Sequence, residues 1–482
     1  MKDDSYDIVA VGTGFATSFF LHQVLEKAGK SLKVLVLDAG PKFSHADQVK
    51  HRGTNNQPLA HKRMSEHYEN LNPLDKYWTF FTGYGGGSNC WWACTPRLIP
   101  DDFRTKSLFG IGMDWPMSYD DLEPYYCQAE KLMNVCGDSS KAPYPRSQPY
   151  PKAPHRQNAV DKILNEAFPD QMYSFPAARS PESVADQRPA CCNNGVCTIC
   201  PINAKFTVLN GLTSPYEDER VELKVDAKVI GLEKTNDVIT GVTYRKDGKE
   251  ETVRCELAVL GANAIFNPHI MLRSGFAHPE LGLGLTEQVS RKVTVDLNGI
   301  DNFQGSTVST ALCYMLHGRE HRKKKAGALI QTENIPNLRN ERGKHLQRME
   351  MLVSYEDYRL PQNHVALSKE NPEKAAATFV KHSDYTERGM RELDEDIKKV
   401  IAPLPVESVS ISEPWKTESH IMCTTPMGSD PKTSITDSHG VCHEARNLVV
   451  LGSSLFPTAA PSHPTLTLSA LSLRSADYLF ST

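Results

Sequence analysis

The stretch DIVAVGTGFAT at residues 7–17 decides the fold. Its apolar first half, closed by Gly12, predicts a buried parallel strand. The residues that follow predict a helix over about 15–27, because the phenylalanines recur on one helical face. A second apolar strand, KVLVL at 33–37, ends at Asp38. Together these segments predict a βαβ unit with a right-handed crossover.

The turn Gly12-Thr13-Gly14-Phe15-Ala16-Thr17 between strand and helix predicts a nucleotide-binding site. Glycines in such a turn let the backbone approach a pyrophosphate at the amino terminus of the helix. Asp38 lies where a carboxylate accepts hydrogen bonds from a ribose diol. Thr17 stands where the usual fingerprint has its third glycine. This segment alone predicts a nucleotide without deciding between FAD and NAD.

The composition is that of an ordinary globular protein, with 482 residues, 39% hydrophobic and 23% charged. A net charge of −4 gives no electrostatic reason to expect nucleic acid as a partner. No stretch approaches the roughly 20 apolar residues that span a bilayer. The first residues show no export signal. We therefore expect a cytoplasmic protein, or a periplasmic one if a signal-bearing partner exports it.

Further along the chain, local patterns predict several helices. A capping serine, Ser118, begins an amphipathic helix over 118–135. We also expect a helix from about Pro268 to Gly275, one polar helix over 387–401, and a final helix from about Thr465. Short strands between them suit a meander.

The segment from His420 onward, containing SSLFPTAAPSHPTLT, resembles the signature of the glucose–methanol–choline (GMC) oxidoreductases. The resemblance extends to the glycine turn, to GGGSNCWWACTPR at 85–97, to WPMSYDDLEPYY at 115–126 and to VLGANAIFNPHIMLRSG at 259–275. Only about 290–410 gives little match. The resemblance identifies the nucleotide as FAD.

The resemblance implies an α/β fold in which a Rossmann-like FAD-binding domain is interleaved with an antiparallel-sheet substrate domain. The FAD-binding domain is expected to comprise residues 1–110, 201–285 and 425–482. The substrate domain is expected to comprise 111–200 and 286–424, with a cysteine-rich loop at 191–200.

The resemblance places two polar residues beside the flavin ring, and they correspond to His420 and His463. An imidazole can accept the hydroxyl proton of a substrate while the carbinol hydride leaves, so we expect these two residues to be catalytic. The residues that the resemblance assigns to FAD are Gly12, Gly14, Phe15, Ala16, Thr17, Asp38, Gly87, Ser88, Asn89, Cys90, Trp91, Val229, Gly452, Ser453, Pro464 and Thr465. Asn447 is expected near the flavin on the same basis.

Cys90 bears on how the flavin is attached. Within the family, a histidine in a Ser-Thr-His-Trp run carries a covalent flavin in pyranose oxidases. Here the run is Ser88-Asn89-Cys90-Trp91, so that histidyl link cannot form. Free cysteines are commonly buried, and we favour a non-covalent FAD over a cysteinyl link through Cys90.

Four cysteines, Cys191, Cys192, Cys197 and Cys200, fall within ten residues. Soft sulfur ligands that converge from one loop, with a proline after the last, are typical of iron–sulfur sites. The loop resembles that of the family's sugar dehydrogenases, which hold a three-iron (3Fe-4S) cluster, although its last cysteine lies one residue nearer. Three of the four are the expected ligands, with Cys192 the most dispensable. A zinc site and disulfides are the alternatives.

A cluster beside the flavin gives electrons a one-electron exit. We therefore expect a dehydrogenase that oxidises a hydroxyl of a sugar, glycoside or polyol and passes electrons to a partner such as a cytochrome. Relatives of this kind often travel with a small secreted subunit, which is a second expected partner. An oxygen-using alcohol or sugar oxidase, and a non-catalytic flavin and iron–sulfur electron-transfer protein, remain the alternatives.

Overall fold

The computed structural model describes residues 5–51, 67–73, 76–185 and 187–481. Within these residues the strands are β1 Ser5–Val11, β2 Val34–Leu37, β3 Tyr68–Asn70, β4 Met172–Ser174, β5 Val221–Lys224, β6 Lys228–Thr235, β7 Val238–Lys246, β8 Lys249–Leu260, β9 Val289–Leu297, β10 Ser309–Cys313, β11 Ala328–Glu333, β12 Arg348–Tyr355, β13 Asp357–Tyr358, β14 His364–Leu367, β15 Ala375–Thr378, β16 Val406–Ile411, β17 Val441–Cys442, β18 Ala445–Val450 and β19 Thr458–Ala459. The α-helices are α1 Phe15–Lys27, α2 His45–His51, α3 Thr105–Phe109, α4 Tyr119–Met133, α5 Ala159–Ala167, α6 Val208–Gly211, α7 Ser214–Glu217, α8 Asn263–Arg273, α9 Arg319–Arg322, α10 Asp384–Arg391, α11 Leu393–Ile401 and α12 Thr465–Phe480. Short 3₁₀ turns lie at Gly86–Asn89, Pro100–Arg104, Met315–His317 and Ser453–Leu455.

The predicted βαβ unit forms the centre of the first sheet. Its main path runs β17-β18-β8-β1-β2-β5, with β1 parallel to both β2 and β8. Both faces of β1 are buried: Val9 and Val11 belong to one apolar cluster, and Ile8 and Ala10 to another. A strand covered on both faces needs an unbroken apolar run, which explains the sequence pattern.

The second large sheet is antiparallel and has the order β16-β9-β12-β11-β10-β4. Its apolar face, including Val293, Ile330 and Met351, packs with Leu393 and Ile397 of α11. The expected α/β class with a second, antiparallel sheet is confirmed.

Two helix predictions need correction. The helix expected from Pro268 begins five residues earlier, at Asn263. Proline has no backbone N–H for the carbonyl four residues before it. The Thr424 hydroxyl donates to that carbonyl, the oxygen of Ala264, at 2.6 Å.

The polar helix expected over 387–401 is two helices, α10 and α11, which meet at Glu392. The first of them begins at a cap that the sequence analysis missed, because the Ser383 hydroxyl accepts from the Thr386 N–H. The Ser118 cap of α4 is as predicted, with its hydroxyl accepting from the Asp121 N–H.

Thr17 has a structural role that explains the missing third glycine. It is fully buried, on the first turn of α1, and its hydroxyl faces Gly261 just after β8. A Cβ atom on Gly261 would overlap the Thr17 hydroxyl oxygen. The glycine that lets α1 pack closely on the sheet is therefore Gly261, which follows β8, and not residue 17 of the helix.

The pair can be tested by replacing Gly261 with alanine. We expect Gly261→Ala to lower the free energy of unfolding by about 1–3 kcal/mol, because the added methyl overpacks this contact. The double variant Gly261→Ala/Thr17→Ala should recover most of that loss. Chemical denaturation of the two variants and of Thr17→Ala alone gives the coupling free energy between the two positions. If Gly261→Ala lowers the free energy of unfolding equally in the wild-type background and in the Thr17→Ala background, the close contact is contradicted.

Candidate active site

A cavity of about 910 Å³ lies beside the parallel sheet. At one end it is lined by the glycine turn after β1, by Asp38 after β2 and by Val229. At the other end it is lined by His420, His463 and residues of the second sheet. Its volume is in the upper range for small-molecule sites.

The nucleotide end is built from backbone. A Cβ atom on Gly12 would lie 2.7 Å from the Gly261 carbonyl oxygen, and one on Gly86 would lie 2.8 Å from the Gly14 Cα. Gly12 and Gly86 also have positive φ angles, +88° and +48°. Only glycine combines this conformation with such close approach. These contacts bring the turn at 86–89 against the start of α1.

Two long helices begin at this cavity without a side-chain cap. Gly14 precedes α1 and Pro464 precedes α12, and neither end has a side-chain hydrogen bond. Uncapped helix amino termini are suited to binding anions and electronegative oxygens. The glycine cradle and the open helix ends fit the pyrophosphate and the flavin of an FAD.

Three hydrogen bonds fix the Asp38 carboxylate at the end of β2. It accepts from the Thr13 backbone N–H at 3.1 Å, from the Thr13 hydroxyl at 2.6 Å and from the Gly40 N–H at 3.0 Å. Burial raises the pKa of this carboxyl above its usual value, and these hydrogen bonds oppose that shift. Thr13, which the sequence analysis did not assign, also accepts from the Gly85 N–H and so joins the two glycine turns.

The two histidines lie side by side at the other end. The ring centroids of His420 and His463 are 5.5 Å apart, with the rings nearly perpendicular. Nδ1 of His420 lies 2.7 Å from the Gln288 side-chain oxygen. Nδ1 of His463 is buried without a hydrogen-bond partner among the described residues.

Both imidazoles are neutral at neutral pH. Burial lowers the pKa of His420 to about 4 and that of His463 to about 3; the neighbouring His420 and Arg179 contribute further to the second shift. A neutral imidazole has a nitrogen lone pair that can accept a proton. The pair can therefore act as a base above roughly pH 5.

Carboxyl groups border the same end of the cavity. Glu333, at the end of β11, is only 2% exposed, and burial raises its pKa. Burial also raises the pKa of Glu418 to about 8, so this carboxyl carries a proton at neutral pH. Each has one buried oxygen without a hydrogen bond within the described residues. These groups can contact substrate hydroxyls.

Most residues predicted to bind the cofactor line the cavity, but Thr17, Ser88 and Asn89 do not. The Ser88 hydroxyl instead donates to the Gly85 carbonyl at 2.6 Å, and the Asn89 amide to the Tyr84 carbonyl at 2.9 Å, so both shape the turn. Asn447 bonds Ile239 and Glu256 in the first sheet, away from the cavity. Residue type alone does not decide whether a polar side chain in such a turn binds the ligand or the backbone.

The cysteine loop does not form a metal centre in this structure. Among the described residues, no three side chains of His, Cys, Asp or Glu are placed to hold one metal ion. Cys192 is exposed, Cys197 is buried, the Cys191 sulfur faces Thr307 at 3.6 Å and the Cys200 sulfur accepts from the Ala204 N–H. As placed, the four thiols do not fit a cluster.

The loop nevertheless lies against the cavity. Lys205, fully buried, donates to the carbonyl oxygens of Asn89 at 3.0 Å, Trp91 at 2.7 Å and Thr198 at 2.9 Å. Because Thr198 lies between Cys197 and Cys200, this lysine ties the cysteine loop to the segment that lines the cavity. Burial lowers the pKa of Lys205 to about 8.

In the part of the chain that the structure describes, every helix is too short or too polar to cross a bilayer.

Comparisons with known proteins show which proteins this chain is similar to. Residues 354–472 match the family model described as GMC oxidoreductase. The fructose dehydrogenase large subunit of Gluconobacter japonicus is 26% identical, over 98% of this chain and 97% of that protein. The 6'''-hydroxyparomomycin C oxidase of Streptomyces lividus is 24% identical, over 98% of this chain and 91% of that protein.

Solved structures agree on the fold. Pyridoxine 4-oxidase from Mesorbium loti superposes with a TM-score of 0.69 at 15% identity, and the alignment covers 99% of each chain. An Aspergillus oryzae formate oxidase also gives a TM-score of 0.69, at 12% identity, over 100% of this chain and 99% of that one. These likenesses concern the architecture.

The fold and the glycine-lined cavity fit a dinucleotide-binding protein. Residues 354–472 carry the match to the GMC oxidoreductases, which confirms the resemblance seen in the carboxy-terminal segment. The chain is an FAD-dependent enzyme acting on CH–OH groups.

Proposed function

We propose that this enzyme is an FAD-dependent dehydrogenase that oxidises a hydroxyl group of a sugar, glycoside or polyol to a carbonyl. The observation that carries the proposal is the pair of neutral imidazoles, His420 and His463, at one end of a cavity whose other end is a dinucleotide cradle. The names of the relatives support the substrate class: a fructose dehydrogenase, a 6'''-hydroxyparomomycin C oxidase and a paromamine 6'-oxidase.

FAD is proposed to lie along the cavity with its pyrophosphate at the start of α1. Gly12, Gly14, Phe15 and Ala16 would surround the pyrophosphate and Asp38 would accept from the ribose. The remaining cavity residues proposed to contact the cofactor are Gly87, Cys90, Trp91, Val229, Gly452, Ser453, Pro464 and Thr465. Burial raises the pKa of the Cys90 thiol, which keeps it protonated and favours a non-covalent flavin.

When bound, FAD supplies the hydride acceptor, N5 of the flavin ring. His420 or His463 takes the hydroxyl proton of the substrate, while the other ring orients the hydroxyl oxygen. Glu333 and Glu418, together with Trp415, line the same end and are placed to bind the remaining hydroxyl groups. Burial keeps both imidazoles neutral, so that each has a nitrogen lone pair able to accept a proton.

The electrons taken up by the flavin need an acceptor, which is either a partner protein or oxygen. The fructose dehydrogenase relative is named as a large subunit, which supports a partner subunit. A cytochrome acceptor stays a prediction from the sequence. The position of the cysteine loop beside the cavity, held there by Lys205, also favours an outlet. The 3Fe-4S cluster stays a prediction from the sequence, because the four thiols of the cysteine loop do not lie close enough together to bind one metal centre. The names of the oxidases keep oxygen as the alternative acceptor.

Substitution of the histidines tests the chemistry. We expect His420→Ala and His463→Ala each to slow anaerobic bleaching of the flavin by sugars and polyols about 10²–10⁴-fold, because general-base assistance is lost. Both variants should retain FAD. His439→Ala is the matched control, since that ring stacks on Tyr478 outside the cavity. Bleaching at the wild-type rate in both site variants, or no bleaching of the wild type by any sugar or polyol, would contradict the proposal.

Metal content tests the predicted outlet. The cluster predicted from the cysteine spacing requires the purified protein to contain iron and to show the electron paramagnetic resonance signal of an oxidised three-iron cluster. Cys197→Ser should lose the iron, and Cys192→Ser should keep it. Zinc without iron, or no metal at all, would rule out the cluster; rapid formation of peroxide from substrate in air would then favour the oxidase.

A further inference from the structure

Gln288 makes three hydrogen bonds, which link the ring of His420 to the backbone just before His463. It lies just before β9 and is only 2% exposed. Its side-chain nitrogen donates to the carbonyl oxygens of Ala460 and Ser462, both at 2.6 Å. Its side-chain oxygen lies 2.7 Å from Nδ1 of His420. One amide therefore contacts His420 directly and holds the backbone immediately before His463.

The orientation of this amide is fixed by its partners. Backbone carbonyl oxygens accept hydrogen bonds and never donate them, so the two oxygens of Ala460 and Ser462 require the NH₂ group of Gln288. A flipped amide would place its own oxygen against both carbonyls and lose two hydrogen bonds. The amide oxygen consequently faces His420.

This orientation determines which nitrogen of His420 carries the proton. An amide oxygen only accepts, so the hydrogen bond requires a proton on Nδ1 of the imidazole. A neutral imidazole has one N–H, which leaves Nε2 as a bare acceptor. Nε2 has no hydrogen bond within the described part of the chain, and His420 borders the cavity. The base nitrogen is thereby directed away from Gln288.

The adjacent residue holds the backbone of the same segment. The Glu287 carboxylate accepts from the N–H groups of Glu418 at 3.2 Å and His420 at 3.4 Å. Lys76 pairs with Glu287 and neutralises this buried charge. Glu287 thus places the His420 backbone, and Gln288 orients its ring.

We propose that Gln288 is a positioning residue that locks His420 as the Nδ1–H tautomer, so that Nε2 of His420 is the proton acceptor in alcohol oxidation. This inference rests on the proposed function and makes it more specific, since it assigns the base to His420 and leaves His463 to orient the hydroxyl. No such role follows from the sequence pattern, because Gln288 and His420 are 132 residues apart.

Two substitutions separate positioning from simple structural support. Gln288→Met keeps the size but removes every hydrogen bond, and Gln288→Glu keeps an acceptor oxygen opposite Nδ1. We expect anaerobic flavin reduction to slow about 10²-fold in Gln288→Met, with substrate affinity changed little, because proton transfer is affected more than binding. Gln288→Glu should retain more of the rate than Gln288→Met. A merely structural residue would give the opposite order, since a buried carboxylate facing two carbonyls is the more disruptive change.

Gln23→Met is the matched control. Gln23 is a buried glutamine on α1 that bonds Asp477 and Gln128, away from the histidines. It should leave the rate of flavin reduction unchanged. FAD content and thermal unfolding of all three variants show whether each is folded.

The unmodified protein offers an independent readout. The ¹⁵N chemical shifts of the His420 ring, assigned by comparison with His420→Ala, report which nitrogen carries the proton. The proposal requires the proton on Nδ1; a proton on Nε2, a Gln288→Met variant that reduces flavin at the wild-type rate, or a Gln288→Glu variant slower than Gln288→Met would overturn it. Failure of the wild type to reduce its flavin with any sugar or polyol would instead refute the proposed function and is a separate result.

Discussion

Close approach of backbone at glycine positions is the constraint on which the site depends. Gly12 and Gly261 touch where two parallel strands end, and Gly14 and Gly86 touch where two turns meet at the start of α1. No side chain fits between these segments, so the helix end stays open to the cavity. Thr17 fills the space that Gly261 leaves, which keeps α1 packed on the sheet while its amino terminus remains free for an anion.

Polar contacts organise the end of the cavity that holds the two histidines. Glu287 and Gln288, consecutive in the chain, hold the backbone and ring of His420, and Gln288 also holds the segment that leads into His463. Burial then keeps both imidazoles uncharged. Hydrogen bonds in such surroundings fix orientation strongly, because leaving any of these groups unpaired would be costly. The glycine turn proposed to bind the dinucleotide and the histidine proposed as the base thus line one cavity.

Local patterns predicted what depends on local physics. The βαβ unit, the Ser118 cap and the final helix follow from apolar periodicity and capping, and they form close to the predicted bounds. Contacts between distant segments were not predictable in this way. The start of α8 depends on a hydroxyl from Thr424 that replaces the N–H missing at Pro268. Gln288 carries no sequence signal, since its role exists only once three remote segments have come together. The cysteine spacing predicted a set of metal ligands. In the structure the four thiols of this loop do not lie together as such a set.

We propose that the two histidines face the N5 edge of the flavin ring of an FAD whose pyrophosphate lies at the amino terminus of α1. A crystal structure of the flavin-loaded protein tests it most directly. The account predicts the pyrophosphate at the amino terminus of α1 beside Gly12 and Gly14, and the N5 edge of the ring toward His420 and His463. A flavin ring at the Asp38 end of the cavity, or one turned so that neither imidazole faces N5, would contradict it.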